Sequence, residues 1–138
     1  MALRSITTAL GVALAFPVFA ANVNLVDGDT IKIGRETIRI VEIDTPETYK
    51  PRCERELVLG LAAKQRLRQL LDSGAVTFAP TGADRYGRTL ASVFADGVNI
   101  GETMVSEGFA LRYRPGARAK LERLRVWCGP QAQLEDRF

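Results

Sequence analysis

The sequence contains no histidine. That absence removes the commonest general base, every Ser-His-Asp triad and the HEXXH type of zinc site. Any catalysis must therefore run on carboxylates, arginines, a tyrosine or a metal. Lysine is scarce as well, with four residues against fifteen arginines. The planar guanidinium fork suits phosphate and carboxylate better than an ammonium point charge does. A net charge of +3 permits an anionic partner without demanding one. Only two cysteines occur, Cys53 and Cys128, too isolated for zinc, whose ligands come in clusters. There is no internal repeat, low-complexity run or linker-like stretch, and 138 residues are enough for one domain and short for two. With 46% apolar and 25% charged residues, the composition is that of an ordinary globular protein.

Long apolar runs are also missing, except at the start. Arg4 is the only charged residue before Asp27, and Ile6 to Ala20 is apolar and small. About fifteen such residues fall short of the roughly 20 that span a bilayer as a helix. The segment reads as a secretory signal, residues 1–20, with a small-residue cleavage site before Ala21. An uncleaved anchor or a buried N-terminal helix is the alternative. Residues 21–138 are then the folded domain, exported to the periplasm or the medium. In that setting oxidation is the default, so Cys53 and Cys128 are expected to be bridged, with two separate buried thiols as the other reading.

What is present is concentrated in Asp27 to Thr48, DGDTIKIGRETIRIVEIDTPET. Asp27-Gly28 signals a turn. Thr30 to Ile33 alternates, Gly34-Arg35 makes a tight loop, and Thr37 to Ile43 is rich in β-branched residues, so the stretch reads as a hairpin. Asn22 to Val26 is a short strand before it. A helix is expected from about Glu54 to Leu71, with Leu57, Leu61, Leu67, Leu70 and Leu71 at helical spacing. Gly60 is a second candidate for its start, and Gly74 is expected to close it in the left-handed conformation. Ala75 to Pro80 and Thr89 to Ala95 read as strands around the Asp84–Arg88 turn, and Asp96-Gly97 as another hairpin. Short helices are expected at about 101–107 and 116–127, with an extended piece at 109–113 between them. Three strands, a helix, two strands and two further helices form the order of an α+β fold built on a five-stranded OB-type Greek-key β-barrel.

Arg39 stands inside the apolar run Ile38-Ile40-Val41-Ile43. A buried charge without a partner costs several kcal/mol, roughly, so it implies an anion opposite; an ion pair with Glu42 or Glu36 would also serve. Alone, Asp27-Gly28-Asp29 would be an ordinary turn and Asp44-Thr45-Pro46-Glu47 an ordinary capping box. Geometry does not join them. With Gly34-Arg35 as the loop, Asp29 faces Ile40, and at about 3.3 Å per residue Asp44 lies some ~13 Å further on in a flat hairpin. Strict alternation also sets Arg39 and Asp44 on opposite faces, so a bulge or a strong coil would have to re-aim one of them.

DGDT, an arginine in a strand, DTPE and then DRYGR at 84–88 resemble the staphylococcal nuclease (thermonuclease) family, in the family's order and over about Asn24 to Tyr113. The resemblance implies a Ca²⁺ site made by the Asp29 and Asp44 carboxylates and the Thr45 backbone carbonyl, oxygen donors of the kind a hard cation takes. It implies Glu47 as the general base for a water attacking phosphorus, a role worth on the order of 10²–10⁴ in rate, and Arg39 and Arg88 as the phosphate clamp. Tyr86 and Tyr113 are candidates for stacking on bases. The activity implied is hydrolysis of DNA and RNA to 3′-phosphate ends by a monomer, on single-stranded or frayed substrate. A non-catalytic nucleic-acid-binding barrel is the rival reading, and the complete acidic set speaks against it.

Overall fold

The computed structural model describes residues 22–134; the expected leader, 1–20, lies outside them. Strands β1 (Val23–Asp27), β2 (Thr30–Ile33) and β3 (Glu36–Ile40) form an antiparallel meander, followed by a two-residue strand β4 (Ile43–Asp44). Helix α1 (Glu54–Asp72) leads to β5 (Val76–Ala83) and β6 (Thr89–Ala95), then β7 (Val98–Asn99), α2 (Ile100–Ser106), β8 (Leu111–Arg112) and α3 (Ala117–Cys128). The main sheet runs β1-β2-β3-β6-β5 with β7 beside β6, while β4 and β8 pair separately. Only β3 and β6 run parallel. The five principal strands β1, β2, β3, β5 and β6, with three two-residue strands beside them and three helices, are the α+β OB-type architecture that the order of elements implies.

The core lies between the sheet and the helices. Ile31, Ile38 and Ile40 from the meander meet Leu67 and Leu71 of α1, Val93 of β6 and Met104 of α2, all buried. Each such side chain withdrawn from water contributes about 1.5–3 kcal/mol. A disulfide joins Cys53, the N-cap of α1, to Cys128 at the end of α3.

Local expectations differ from the structure at several points. The strand expected over Thr37 to Ile43 stops at Ile40, because Glu42 turns left-handed at φ 71°. Gly60 does not start a helix: α1 passes through it, and a Cβ there would lie 2.7 Å from the Pro46 carbonyl oxygen. Leu61 is exposed, and the buried face of α1 is Gly60, Ala63, Leu67 and Leu71. Nor is Gly74 left-handed. Ser73 caps α1 in the right-handed region, and Gly74 is required because a Cβ would run into the Asp96 carboxylate. Strand β5 continues past Pro80 to Ala83 through a register shift between Pro80 and Gly82.

Candidate active site

The β2–β3 register is the one the loop dictates: Thr30 faces Arg39, and the Ile40 amide donates to the Asp29 carbonyl (2.8 Å). Asp44 nevertheless reaches Asp29, because the chain doubles back after Ile40. Glu42 adopts its left-handed turn, its carbonyl accepts from the Tyr113 amide (2.8 Å), and β4 pairs with β8. The reversal sets the Thr45 amide against Asp29 Oδ2 (3.2 Å). It also lets the Arg39 guanidinium lie between two acids, Nη1 at 3.4 Å from Asp29 Oδ2 and Nη2 at 3.3 Å from Asp44 Oδ1. The anion opposite Arg39 is thus this acidic pair, not Glu42 or Glu36. Gly28 makes the closeness feasible, since a Cβ there would sit 2.8 Å from Thr45 Oγ1 and 3.1 Å from Ala63 Cβ.

Glu47 stands at the rim of the same cleft, exposed, its carboxylate without a hydrogen-bond partner among the described residues. Its loop is held from below. Glu56 occupies the third position of α1, where a capping-box glutamate would reach back to the N-cap amide. Here, fully buried, it accepts instead from the amides of Glu47 (3.3 Å) and Arg52. A second tie runs from the Thr48 hydroxyl to Asp27 Oδ1 (3.1 Å), which also accepts from the Gly28 amide.

Arg88 enters from the β5–β6 turn. Asp84 organises that turn, its Oδ1 accepting from the Tyr86 and Arg88 amides and its Oδ2 from Arg88 Nε (2.6 Å). Desolvation opposes ionisation of Asp84, but the bonds from the Arg88 side chain and from both amides hold its pKa below the ordinary value. Tyr86 lies under two guanidiniums, with Arg85 at 4.8 Å and Arg88 at 5.6 Å from the ring centroid. Tyr113 similarly faces Arg123 (5.2 Å) and Arg39 (5.9 Å). Both tyrosines are exposed.

Arg123 is the clearest residue that sequence reasoning missed. Buried on α3, it donates from Nε to Asp44 Oδ2 (2.7 Å) and from Nη1 to the Arg114 carbonyl (3.0 Å). Its position beside Leu124 and one turn before Trp127, both buried, is the signal that sets it apart from Arg118 and Arg125. Asp27, Glu56 and Asp84 were also passed over. Asp84 was legible as the acid that opens the DRYGR turn, whereas nothing in sequence marks Glu56 as buried.

One open cleft of about 540 Å³ is lined by Asp29, Arg39, Asp44, Thr45, Glu47, Arg88, Tyr86 and Tyr113 together. Negative charge accumulates on its floor. Burial, then the charge of Asp29, pushes Asp44 above the ordinary carboxylate range against the opposing pull of Arg123 and Arg39. Burial raises Asp27 too, with Asp29 adding to it. Although Glu47 is exposed at the rim, the surrounding protein desolvates its carboxylate, and the charges of Asp27, Asp29, Asp44 and Glu56 add to the upward shift. Among the described residues no three Asp, Glu, His or Cys side chains are placed to hold a metal ion by themselves. A cation here would rest on Asp29, Asp44, backbone oxygen such as the Thr45 carbonyl, and water. That all-oxygen donor set with surplus negative charge fits a hard divalent ion and does not suit a soft one.

Comparison with known proteins follows the same lines. Residues 37–128 match the family described as "Staphylococcal nuclease homologue". The SPbeta prophage-derived endonuclease YokF of Bacillus subtilis (strain 168) is 37% identical, over 74% of this chain and 41% of its own. Endonuclease YncB of the same organism is 35% identical, over 74% of this chain and 58% of its own. A micrococcal nuclease of Shigella flexneri is 32% identical over 96% of this chain and 88% of its own. The chain thus spans about half the length of the first two relatives and most of the third.

Proposed function

The chain belongs to the staphylococcal nuclease family, and from that premise we propose that it is an exported, calcium-dependent nuclease hydrolysing phosphodiesters of DNA and RNA. The observation that carries the reading is the single cleft in which two arginines, an unpartnered carboxylate and a pair of facing acids converge. Asp29, Asp44 and the Thr45 carbonyl would hold the calcium ion. When bound, that ion supplies positive charge to the phosphoryl oxygens and lowers the pKa of coordinated water. Glu47 takes a proton from the attacking water; a carboxylate at the cleft rim that gives up no hydrogen bond is free to accept it. Arg39 and Arg88 hold the phosphate oxygens as charge grows on them in the transition state. Their own acidic partners, Asp29, Asp44 and Asp84, keep both forks oriented beforehand. The water oxygen bonds to phosphorus, the bond from phosphorus to the 5′ oxygen breaks, and that oxygen leaves with a proton from solvent, so the 3′-phosphate remains on the other fragment. Tyr86 and Tyr113 offer faces for stacking, which suits single-stranded or frayed substrate of any sequence.

The test is release of acid-soluble nucleotides from denatured DNA and from RNA by residues 21–138, with calcium, with magnesium and with chelator. Release that requires calcium, with 3′-phosphate termini on the products, is the expected result. Salt-dependent DNA binding without any release under all three conditions would replace this reading with the non-catalytic binding barrel.

A further inference from the structure

Resting on that nuclease reading, we propose that the cleft continues past the reacting centre as a phosphate track formed by Arg52, Arg114 and Lys120, which holds flanking phosphates of a polynucleotide. All three line the 540 Å³ cleft, yet they come from three different segments: the loop before α1, the connection from β8 to α3, and the first turn of α3 itself. None of their side chains has a carboxylate partner among the described residues. Some cations outside the cleft are neutralised, Arg66 by Glu107, Arg112 by Glu102 and Arg118 by Glu122, and others such as Arg35 and Arg55 stand singly among the described residues, so it is the convergence on one cleft that marks these three. Arg52 is half-buried besides, at the wall of the cleft, where its fork can meet an incoming anion.

The three share the cleft with the reacting groups. A neighbouring pocket of about 420 Å³ shares Arg39, Arg88, Tyr86 and Tyr113 with the cleft and runs on to Leu90, and none of the three cations lines it. The two hollows meet at the Arg39–Arg88 clamp and share both tyrosines, and of the two only the larger is lined by Arg52, Arg114 and Lys120. A lone diester engages only the clamp. Three further cations, in a cleft whose floor is acidic, match a ligand with several phosphates in series, which is the character of an internal position in a chain.

The measurement is binding of a fluorescein-labelled twelve-residue oligothymidylate, in chelator, across a salt series. Each phosphate contact on a single strand contributes about 0.7 to the slope of log K against log salt. The Arg52→Ala/Arg114→Ala/Lys120→Ala variant is expected to lose about 2 from that slope and to bind roughly tenfold more weakly at low salt, and each single variant to lose about 0.7. A control removing equal charge from residues that do not line the cleft, Arg55→Ala/Arg66→Ala/Arg125→Ala, is expected to keep the wild-type slope. An unchanged slope in the single and triple variants, or an equal loss in the control, overturns the track. A wild-type protein that fails to cut the oligonucleotide in calcium would overturn the nuclease reading instead, and the binding slopes would still decide the track.

Discussion

Arg39 carries more of the site than any other residue. It is held 3.3–3.4 Å from two carboxylates that would otherwise repel each other, and the same fork is the proposed grip on phosphate. A lysine could satisfy the charge but not both contacts at once, and at Arg88 it could not hold Asp84 through one nitrogen while presenting others to phosphate. Replacing either arginine by lysine is therefore expected to lower kcat on the order of 10²–10³-fold, the usual cost of removing one donor from a developing oxyanion. Thermal melts of the same variants check that the fold persists. Near-normal rates in either variant would contradict the clamp. Arg39 was legible because a cation in an apolar strand needs an explanation. Arg123 was harder to read: its place beside Leu124 and before Trp127 marks it as the inward-facing arginine of α3, but only the packing of the helix shows that it meets Asp44.

At the scale of elements, the loop carrying Glu47 is the piece to test. It packs on α1 through Gly60, where a Cβ would meet the Pro46 carbonyl oxygen at 2.7 Å and Thr48 Cγ2 at 2.9 Å. In Gly60→Ala the loop must lift, at about 1–3 kcal/mol. The helix recovers about 1 kcal/mol in propensity. Stability is then expected to fall only modestly while turnover drops markedly, because the displacement falls on Glu47; melting and kcat measured side by side check this. A variant as active as wild type would show that the loop does not depend on this contact. The elements also show where sequence reading ends. Alternation and Gly34 were enough to set the β2–β3 register. The left-handed Glu42 was invisible, because neither glycine nor asparagine marks it and the surrounding residues are β-branched. The turn is stabilised by Tyr113 and β8 from the far end of the chain, so only tertiary structure reveals it. Gly74 misled for a related reason, serving close packing against Asp96 where a helix cap would need a left-handed residue.

For the whole molecule, the Cys53–Cys128 disulfide, closing a separation of 75 residues, ties together the two ends of the site. Cys53 follows the Glu47 loop directly, and Cys128 ends the helix that delivers Arg123 to Asp44. Closing so long a loop restricts the unfolded chain by about 4 kcal/mol. Urea denaturation of the Cys53→Ser/Cys128→Ser protein is expected to show a loss of that size, and an unchanged midpoint would mean that the other α1–α3 contacts suffice. The central claim, however, is that one cleft performs base-catalysed hydrolysis. Its most direct test is Glu47→Gln, assayed for single-turnover cleavage of a short oligonucleotide in calcium and, in parallel, for binding of the same oligonucleotide. Glutamine keeps the shape but cannot take the water's proton, so cleavage is expected to slow by roughly 10²–10⁴-fold with binding nearly unchanged. Cleavage at the wild-type rate, or loss of binding together with cleavage, would contradict the account.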